Sequence, residues 1–400
     1  MKLIIRLVAG IIAGIVLGLL VPSAGIIEGL ARVLITFQAF FGQFINFTIP
    51  LIILFYIMSG VANLQEGSGR SLGVTIGLAY LSTIIAGSLA FFMASAFIPG
   101  MVELGTLSVS EAPGLKPLVV IEIPPVMGVM TALLMAFAFG MGISAIKGKE
   151  LKVVVDQARD IVELLLSKVL IPGLPFYIAG VFTNMAVEGT VFTTLRTFGV
   201  VLLLAIAMHW IWLAVLYFTS GSLTGRNPLT MAKNMLPAYF TAIGTMSSAA
   251  TIPVTVRQAL ANDIDENVVD FSVPLCATIH LSGSAITLTT CATAIMLLTD
   301  MAAPSYLMVL PFLLMLGVTL IAAPGAPGGA VMASLGLLST MLGFNEAALA
   351  LMIALYLAQD SFGTACNVMG DGAIAALVEK YGMSPKKAEL NQNASSVKNS

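Results

Sequence analysis

Between Val200 and Phe218 the chain carries no aspartate, glutamate, lysine or arginine, and runs of this kind return along almost its whole length. That recurrence constrains the fold more than any other feature. Backbone in hydrocarbon must satisfy its own N–H and C=O groups, so only helices and closed barrels span a bilayer. The runs have helical length and lack the two-residue alternation of barrel strands, so the chain reads as an all-α integral membrane protein. Composition agrees: 58% of the 400 residues are hydrophobic and 10% are charged, against about 25% charged in a soluble domain. A formal net charge of −2 offers no basic surface for nucleic acid. Cys276, Cys291 and Cys366 lie singly in apolar segments and read as small core residues, not as a disulfide or metal set.

Coarse spans fall at about 4–22, 30–62, 72–99, 118–146, 155–187 and 192–219, with 100–117 as the one clear hydrophilic loop. Lys2 and Arg6 before an apolar run, with Pro22-Ser23-Ala24 after it, imitate a signal peptide, but the many later spans favour an uncleaved first helix. After Gly225 the pattern changes. Segments 228–260, 266–299, 303–343 and 345–382 are interrupted by Gly, Pro and hydroxyl residues at mid-segment. Treating 228–260 and 303–343 as re-entrant hairpins gives eight transmembrane helices plus two hairpins. Fourteen of the 18 lysines and arginines then fall on the cytoplasmic side together with both termini. Ten full crossings would preserve that charge balance; the mid-segment breaks favour eight.

The breaks themselves are informative. Gly244-Thr-Met-Ser-Ser-Ala-Ala-Thr-Ile-Pro-Val254 is a run of small and hydroxyl residues ending in Pro253. It is either a hairpin tip whose free N–H groups suit a carboxylate, or a kinked helix packed through small residues. Ala322-Ala-Pro-Gly-Ala-Pro-Gly-Gly329 is too irregular for a helix and long enough to reverse the chain, as a gate or a structural loop. Cys276-Ala-Thr-Ile-His-Leu-Ser-Gly-Ser-Ala285 breaks another apolar segment, and unwinding there would free carbonyls for a cation. His280 is read as a packed hydrogen-bond donor or, alternatively, a proton relay. His209, beside Trp210 and Trp212, reads as an interfacial belt residue. Tyr80-Leu-Ser-Thr83 places hydroxyls within one turn, for back-bonding or as supporting cation ligands.

The last apolar segment holds Asp360, Thr364, Asn367 and Asp371 at intervals of 4, 3 and 4 residues, one polar stripe on a helix. Two carboxylates, an amide and a hydroxyl in hydrocarbon cost several kcal/mol unless they bind something. Broken segments at corresponding positions of two halves, 228–299 and 303–382, point to a transporter's midplane site. A channel, a receptor or an intramembrane enzyme is the competing class, but no nucleophile–base pair or metal cluster is visible.

These motifs resemble the dicarboxylate/amino acid:cation symporter family, the glutamate transporter homologues. Ser247–Val254 is similar to the family's serine-rich first hairpin tip, Ala277–Ser284 to its Asn-Met-Asp-Gly-Thr break, and Gly325-Ala-Pro-Gly328 to its second tip. Gln359–Asn367, closing at Asp371, resembles most the serine/threonine symporter branch. The resemblance implies an elevator fold in a homotrimer, multi-pass in a prokaryotic cell inner membrane. It implies a scaffold mainly of 1–70, 118–146 and 150–190, a transport core mainly of 72–99, 192–220 and 228–382, and a disordered tail at 383–400. It further implies that Ser248 and Asn367, with Ser247 and Thr364 nearby, hold a substrate carboxylate. Asp360 and the carbonyls of Met246 and Ala326 would take its ammonium. Sodium, as coupling ion and with no other cofactor, would sit on Asp371 with carbonyls of Cys276, His280 and Asn367. A second sodium would use carbonyls near Thr278 and the second hairpin tip, with Tyr80, Thr83 and Ser282 as further candidates.

Two departures shape the expectation. Acidic-substrate members carry an arginine where this chain has Gly363, so the expected substrate is a small neutral amino acid: serine, threonine or alanine. The family's Asn-Met-Asp reads His280-Leu-Ser282 here, which removes one carboxylate ligand and favours fewer coupled ions. The alternative is a dicarboxylate or acidic amino acid symporter, coupled to sodium or to protons.

Overall fold

The computed structural model describes residues 2–23, 25–64, 70–102, 115–299, 301–321, 323 and 327–382. Fourteen α-helices follow one another in these segments, and no strand occurs among the described residues. They are α1 (Lys2–Leu20), α2 (Gly25–Leu64), α3 (Arg70–Met101), α4 (Val129–Ile146), α5 (Lys149–Leu165), α6 (Ile171–Val187) and α7 (Val191–Thr224). Then come α8 (Pro228–Thr245), α9 (Ser248–Leu260), α10 (Glu266–Ile279), α11 (Ser282–Leu298), α12 (Tyr306–Ile321), α13 (Gly329–Leu342) and α14 (Glu346–Gly382). Seven segments are long and apolar enough to cross a membrane: α2, α3, α4, α5 run on into α6, α7, α10 run on into α11, and α14. Ile5–Leu20 of α1 is a shorter apolar helix.

Two of these segments occupy the interior. In the most apolar stretch of α10–α11, and again of α14, 89% of residues are buried, against 28% in α4. A helix buried on every side cannot be amphipathic in the usual sense, and any polar group it carries must be answered by protein. Around this pair, α3 packs on α11, and α7, α8 and α10 pack on α14. The outer helices turn large apolar side chains such as Leu134, Phe192 and Leu203 outward, as a lipid-facing surface requires.

The breaks lie where the residues demanded them. α8 ends as Met246 takes a left-handed conformation (φ 53°), and Ser247 caps α9 by accepting the N–H of Ala250 at 3.3 Å. The two helices then lie against each other as a hairpin. With 13 residues α9 rises about 20 Å, short of the ~30 Å hydrocarbon core. The same arithmetic holds for α12 and α13, of 16 and 14 residues. Their tip falls largely outside the described residues; Gly328 (φ 78°) closes it at the start of α13.

α1 lies on α6 through Gly10, Gly14 and Gly18. A Cβ at these positions would stand 2.3–2.5 Å from the carbonyl oxygens of Pro175, Ala179 and Thr183. Glycine at every fourth residue permits this backbone-to-backbone approach. Two sequence boundaries change. The span expected at 118–146 becomes helical only at Val129, because Pro117, Pro124 and Pro125 withhold N–H donors and push their neighbours out of the helical region. Residues 115–128 form no helix and lie on α2 and α6 instead, with Leu118 N–H on Thr36 and Leu115 N–H on Asn184. The expected span 155–187 begins six residues earlier, at Lys149, and passes through a π turn at Leu166–Leu170. The loop at 103–114 and the tail at 383–400 lie outside the described residues.

Candidate functional site

All four residues of the stripe are buried on α14: Asp360 and Asp371 are 4% and 1% exposed, Thr364 and Asn367 6% and 3%. Their partners come from three directions, and the partners define the site.

Asp360 faces the second hairpin. Its Oδ2 accepts the N–H of Gly328 at 2.7 Å, where the left-handed glycine opens α13. The N-terminus of α13 thus presents its positive end to a carboxylate. Ala326, expected beside Asp360, lies outside the described residues. The first hairpin packs on α14, with Met246 buried at its turn and Ser247 and Ser248 half-buried after it. Thr251 returns its hydroxyl to the Ser247 carbonyl at 2.8 Å, which ties the turn down.

Asn367 faces the broken helix. Its Oδ1 accepts the N–H groups of Gly283 (2.7 Å) and Ser284 (3.2 Å), and its Nδ2 donates to Ser284 Oγ at 3.0 Å. Asn367 therefore caps α11 from a neighbouring helix, and Ser284 joins the site without having been picked out in the sequence. Gly283 and Gly363 let the two helices meet. A Cβ on Gly283 would stand 2.3 Å from the Gly363 oxygen, and one on Gly363 would stand 3.2 Å from Thr287 Oγ1. Gly363 is a point of helix contact, not the edge of an open space.

At the lower end of the stripe the helix break places an imidazole. His280 and Leu281 leave the helical region, with the His280 N–H still on the Cys276 carbonyl at 2.8 Å. The ring then bridges two elements, Nδ1 at 2.9 Å from Asp371 Oδ1 and Nε2 at 2.8 Å from Ser82 Oγ on α3. Gly370 makes the room: a Cβ there would be 2.8 Å from His280 Cε1. With a carboxylate that only accepts, Nδ1 carries the proton and the Ser82 hydroxyl donates to Nε2 in the neutral ring. Asp371 Oδ2 and Ser282 Oγ are buried without a partner.

The remaining candidates separate from this centre. Thr278 is exposed and returns its hydroxyl to Leu275 O at 2.7 Å. Thr83 does the same to Ala79 O at 2.9 Å, and Tyr80 donates to Leu314 O on α12 at 3.0 Å. On α3 it is Ser82, between them, that reaches the site. The reading of His209 as an interfacial residue is corrected: it is fully buried on α7, with Nε2 3.0 Å from Gly283 O and 3.1 Å from Thr287 Oγ1. Two tryptophans beside it suggested the membrane surface, but the face that α7 turns to α11 set its burial. Cys276, Cys291 and Cys366 are all buried with free thiols.

A family model described as the sodium:dicarboxylate symporter family matches residues 3–381. The chain is similar to excitatory amino acid transporter 1 of Ambystoma tigrinum, 30% identical over 256 residues, or 61% of this chain and 45% of that protein. The human protein of that name is 28% identical over 255 residues, again 61% and 45%. Excitatory amino acid transporter 3 of Oryctolagus cuniculus is 30% identical over 239 residues, 59% and 44%. Each match thus spans less than half the length of the relative.

Proposed function

The chain belongs to the sodium:dicarboxylate symporter family, one of transporters and not enzymes, and on that premise we propose a symporter that couples sodium to uptake of a small neutral amino acid. One observation carries the substrate class. Asp360 and Asp371 are buried, while among the described residues no lysine or arginine is buried. A single ammonium suits such an interior. A second substrate carboxylate would stay uncompensated, at several kcal/mol.

In this reading Asp360 and the carbonyls of Met246 and Ala326 take the ammonium. Ser247, Ser248 and the remaining Nδ2 hydrogen of Asn367 donate to the α-carboxylate, and Thr364 borders the ligand. Gly363 contributes no charge. Sodium, as cargo, uses the unpartnered Asp371 Oδ2 and Ser282 Oγ with carbonyls of Cys276, His280 and Asn367; a second site uses backbone near Thr278. The His280 ring, already seated between Ser82 and Asp371, fills space that another cation would need, which supports fewer coupled ions. Eight crossings with two re-entrant hairpins, both termini cytoplasmic, and an elevator movement in a homotrimer of a prokaryotic inner membrane complete the proposal.

A second reading has support: the family description names dicarboxylates, and the relatives are named for excitatory amino acids. Uptake into proteoliposomes under an imposed sodium gradient separates the two. Serine, threonine or alanine should compete at least tenfold better than aspartate or succinate. The reverse order would establish the acidic reading, and uptake on a proton gradient without sodium would overturn the ion assignment.

A further inference from the structure

The corner between α4 and α5 carries a charge cluster that transport does not use. After Ile146, Lys147 takes the left-handed conformation (φ 51°) and Gly148 leads into α5. The Lys147 N–H reaches Ser144 O at 3.2 Å and the Gly148 N–H reaches Ile143 O at 3.0 Å, so backbone hydrogen bonds close the turn. Lys147, Lys149 and Lys152 consequently gather around a cavity of about 440 Å³ that extends from this corner to Ala62 near the end of α2. Gly148 provides no side-chain cap, which leaves the first amides of α5 without a partner inside the helix. Glu150 is the one acidic residue of that turn.

The surroundings are apolar on the outside. Ile146 is 71% exposed and Val154 58% exposed, and α4 is the least buried of the candidate spans. Lysines that close off an end of lipid-facing helices, over exposed aliphatic side chains, match both parts of a phospholipid: phosphate on the ammonium groups and acyl chains on the aliphatic surface. We propose that this corner is a binding site for the headgroup phosphate of an anionic phospholipid, with its chains along Ile146 and Val154. Snorkelling lysines with no bound lipid would be indifferent to headgroup charge, whereas a cavity between two helices and an uncapped helix start fix the phosphate in one place.

The test is native mass spectrometry of the full chain in detergent, offered phosphatidylglycerol and phosphatidylcholine with matched chains. The anionic lipid should be retained preferentially, and each Lys→Gln change at 147, 149 or 152 should lower that retention about fivefold. Glu150→Gln should raise it. Lys147→Gly is the decisive variant, because glycine relaxes the left-handed corner. It should keep or raise the melting temperature while retention falls about fivefold. Equal retention of both lipids by the unaltered protein, or unchanged retention after all three lysines are replaced, overturns the proposal. Displacement of phosphatidylglycerol by an equal concentration of inorganic phosphate would assign the cavity to the free anion and overturn the lipid reading.

Discussion

Asp360 and Asp371 stand on one helix yet answer to different neighbours, and the difference is testable at the level of single atoms. Asp360 has one oxygen on the Gly328 N–H at the start of α13; Asp371 has one oxygen on His280 and the other without a partner. Asp360→Asn should weaken amino-acid binding by about tenfold or more and leave sodium binding nearly intact. Asp371→Asn should act mainly on the sodium dependence. Isothermal titration of each ligand in turn reads both effects, and two variants with unaltered transport would reduce the stripe to a structural role. The glycines opposite set a second contrast. On Gly283 an added methyl meets backbone and Cys366 Cβ at 2.3–2.6 Å, so Gly283→Ala must push α11 off α14. Overpacking of that kind costs about 1–3 kcal/mol, and melting should fall by a few degrees. At Gly363 the same methyl meets Thr287 Oγ1 at 3.2 Å, so Gly363→Ala should be mild in a melting assay. Gly363→Arg should depress neutral uptake strongly in the transport assay, because its stem must displace Thr287 or enter the ligand's space.

Helices α1 and α6 depend on Gly10, Gly14 and Gly18 in the way that α11 and α14 depend on Gly283. Gly14→Leu should lower the melting temperature by several degrees, since its Cβ would lie 2.3 Å from the Ala179 carbonyl oxygen. Gly73→Ala in α3, with nothing within 4 Å of the added methyl, should leave it unchanged or raise it through helix propensity, about 1 kcal/mol. This contrast shows which information is local. The stripe at 360–371 was legible because intervals of 4, 3 and 4 become one face on any helix, whatever surrounds it. The hairpin turn at Met246 and the break at His280 were legible because their residues withhold helix formation. Neither the docking of Asn367 onto the start of α11 nor the bridge from His280 to Ser82 could be read that way. Both depend on which helices meet, across 84 and 198 residues of sequence respectively. His209 was misplaced for the same reason: neighbours in sequence suggested lipid, and neighbours in space supplied a carbonyl and a hydroxyl.

In the whole molecule, the proposed elevator movement requires α14 to slide against α2, and Glu346 makes polar contact across that boundary. Glu346, in the first turn of α14, accepts from Gln43 Nε2 at 2.8 Å and from Asn46 Nδ2 at 3.1 Å on α2. Glu346 also sits where the helix dipole favours a carboxylate. A contact between a fixed and a moving unit must part once per cycle, and partly exposed hydrogen bonds of this kind are weak enough to do so, at about 1–3 kcal/mol where a charge takes part. If α2 stays and α14 travels, then cysteines at Gln43 and Glu346 joined by a short cleavable bis-thiol linker should abolish uptake, and cleavage should restore it. The native Cys276, Cys291 and Cys366 are buried and so poorly placed to compete for the linker. Binding of substrate by the linked protein should persist, because the proposed division assigns the stripe, the hairpins and the broken helix to the same moving unit. Undiminished uptake with the linker in place would mean that α14 does not move against α2, and the elevator reading would fall while the binding site stood.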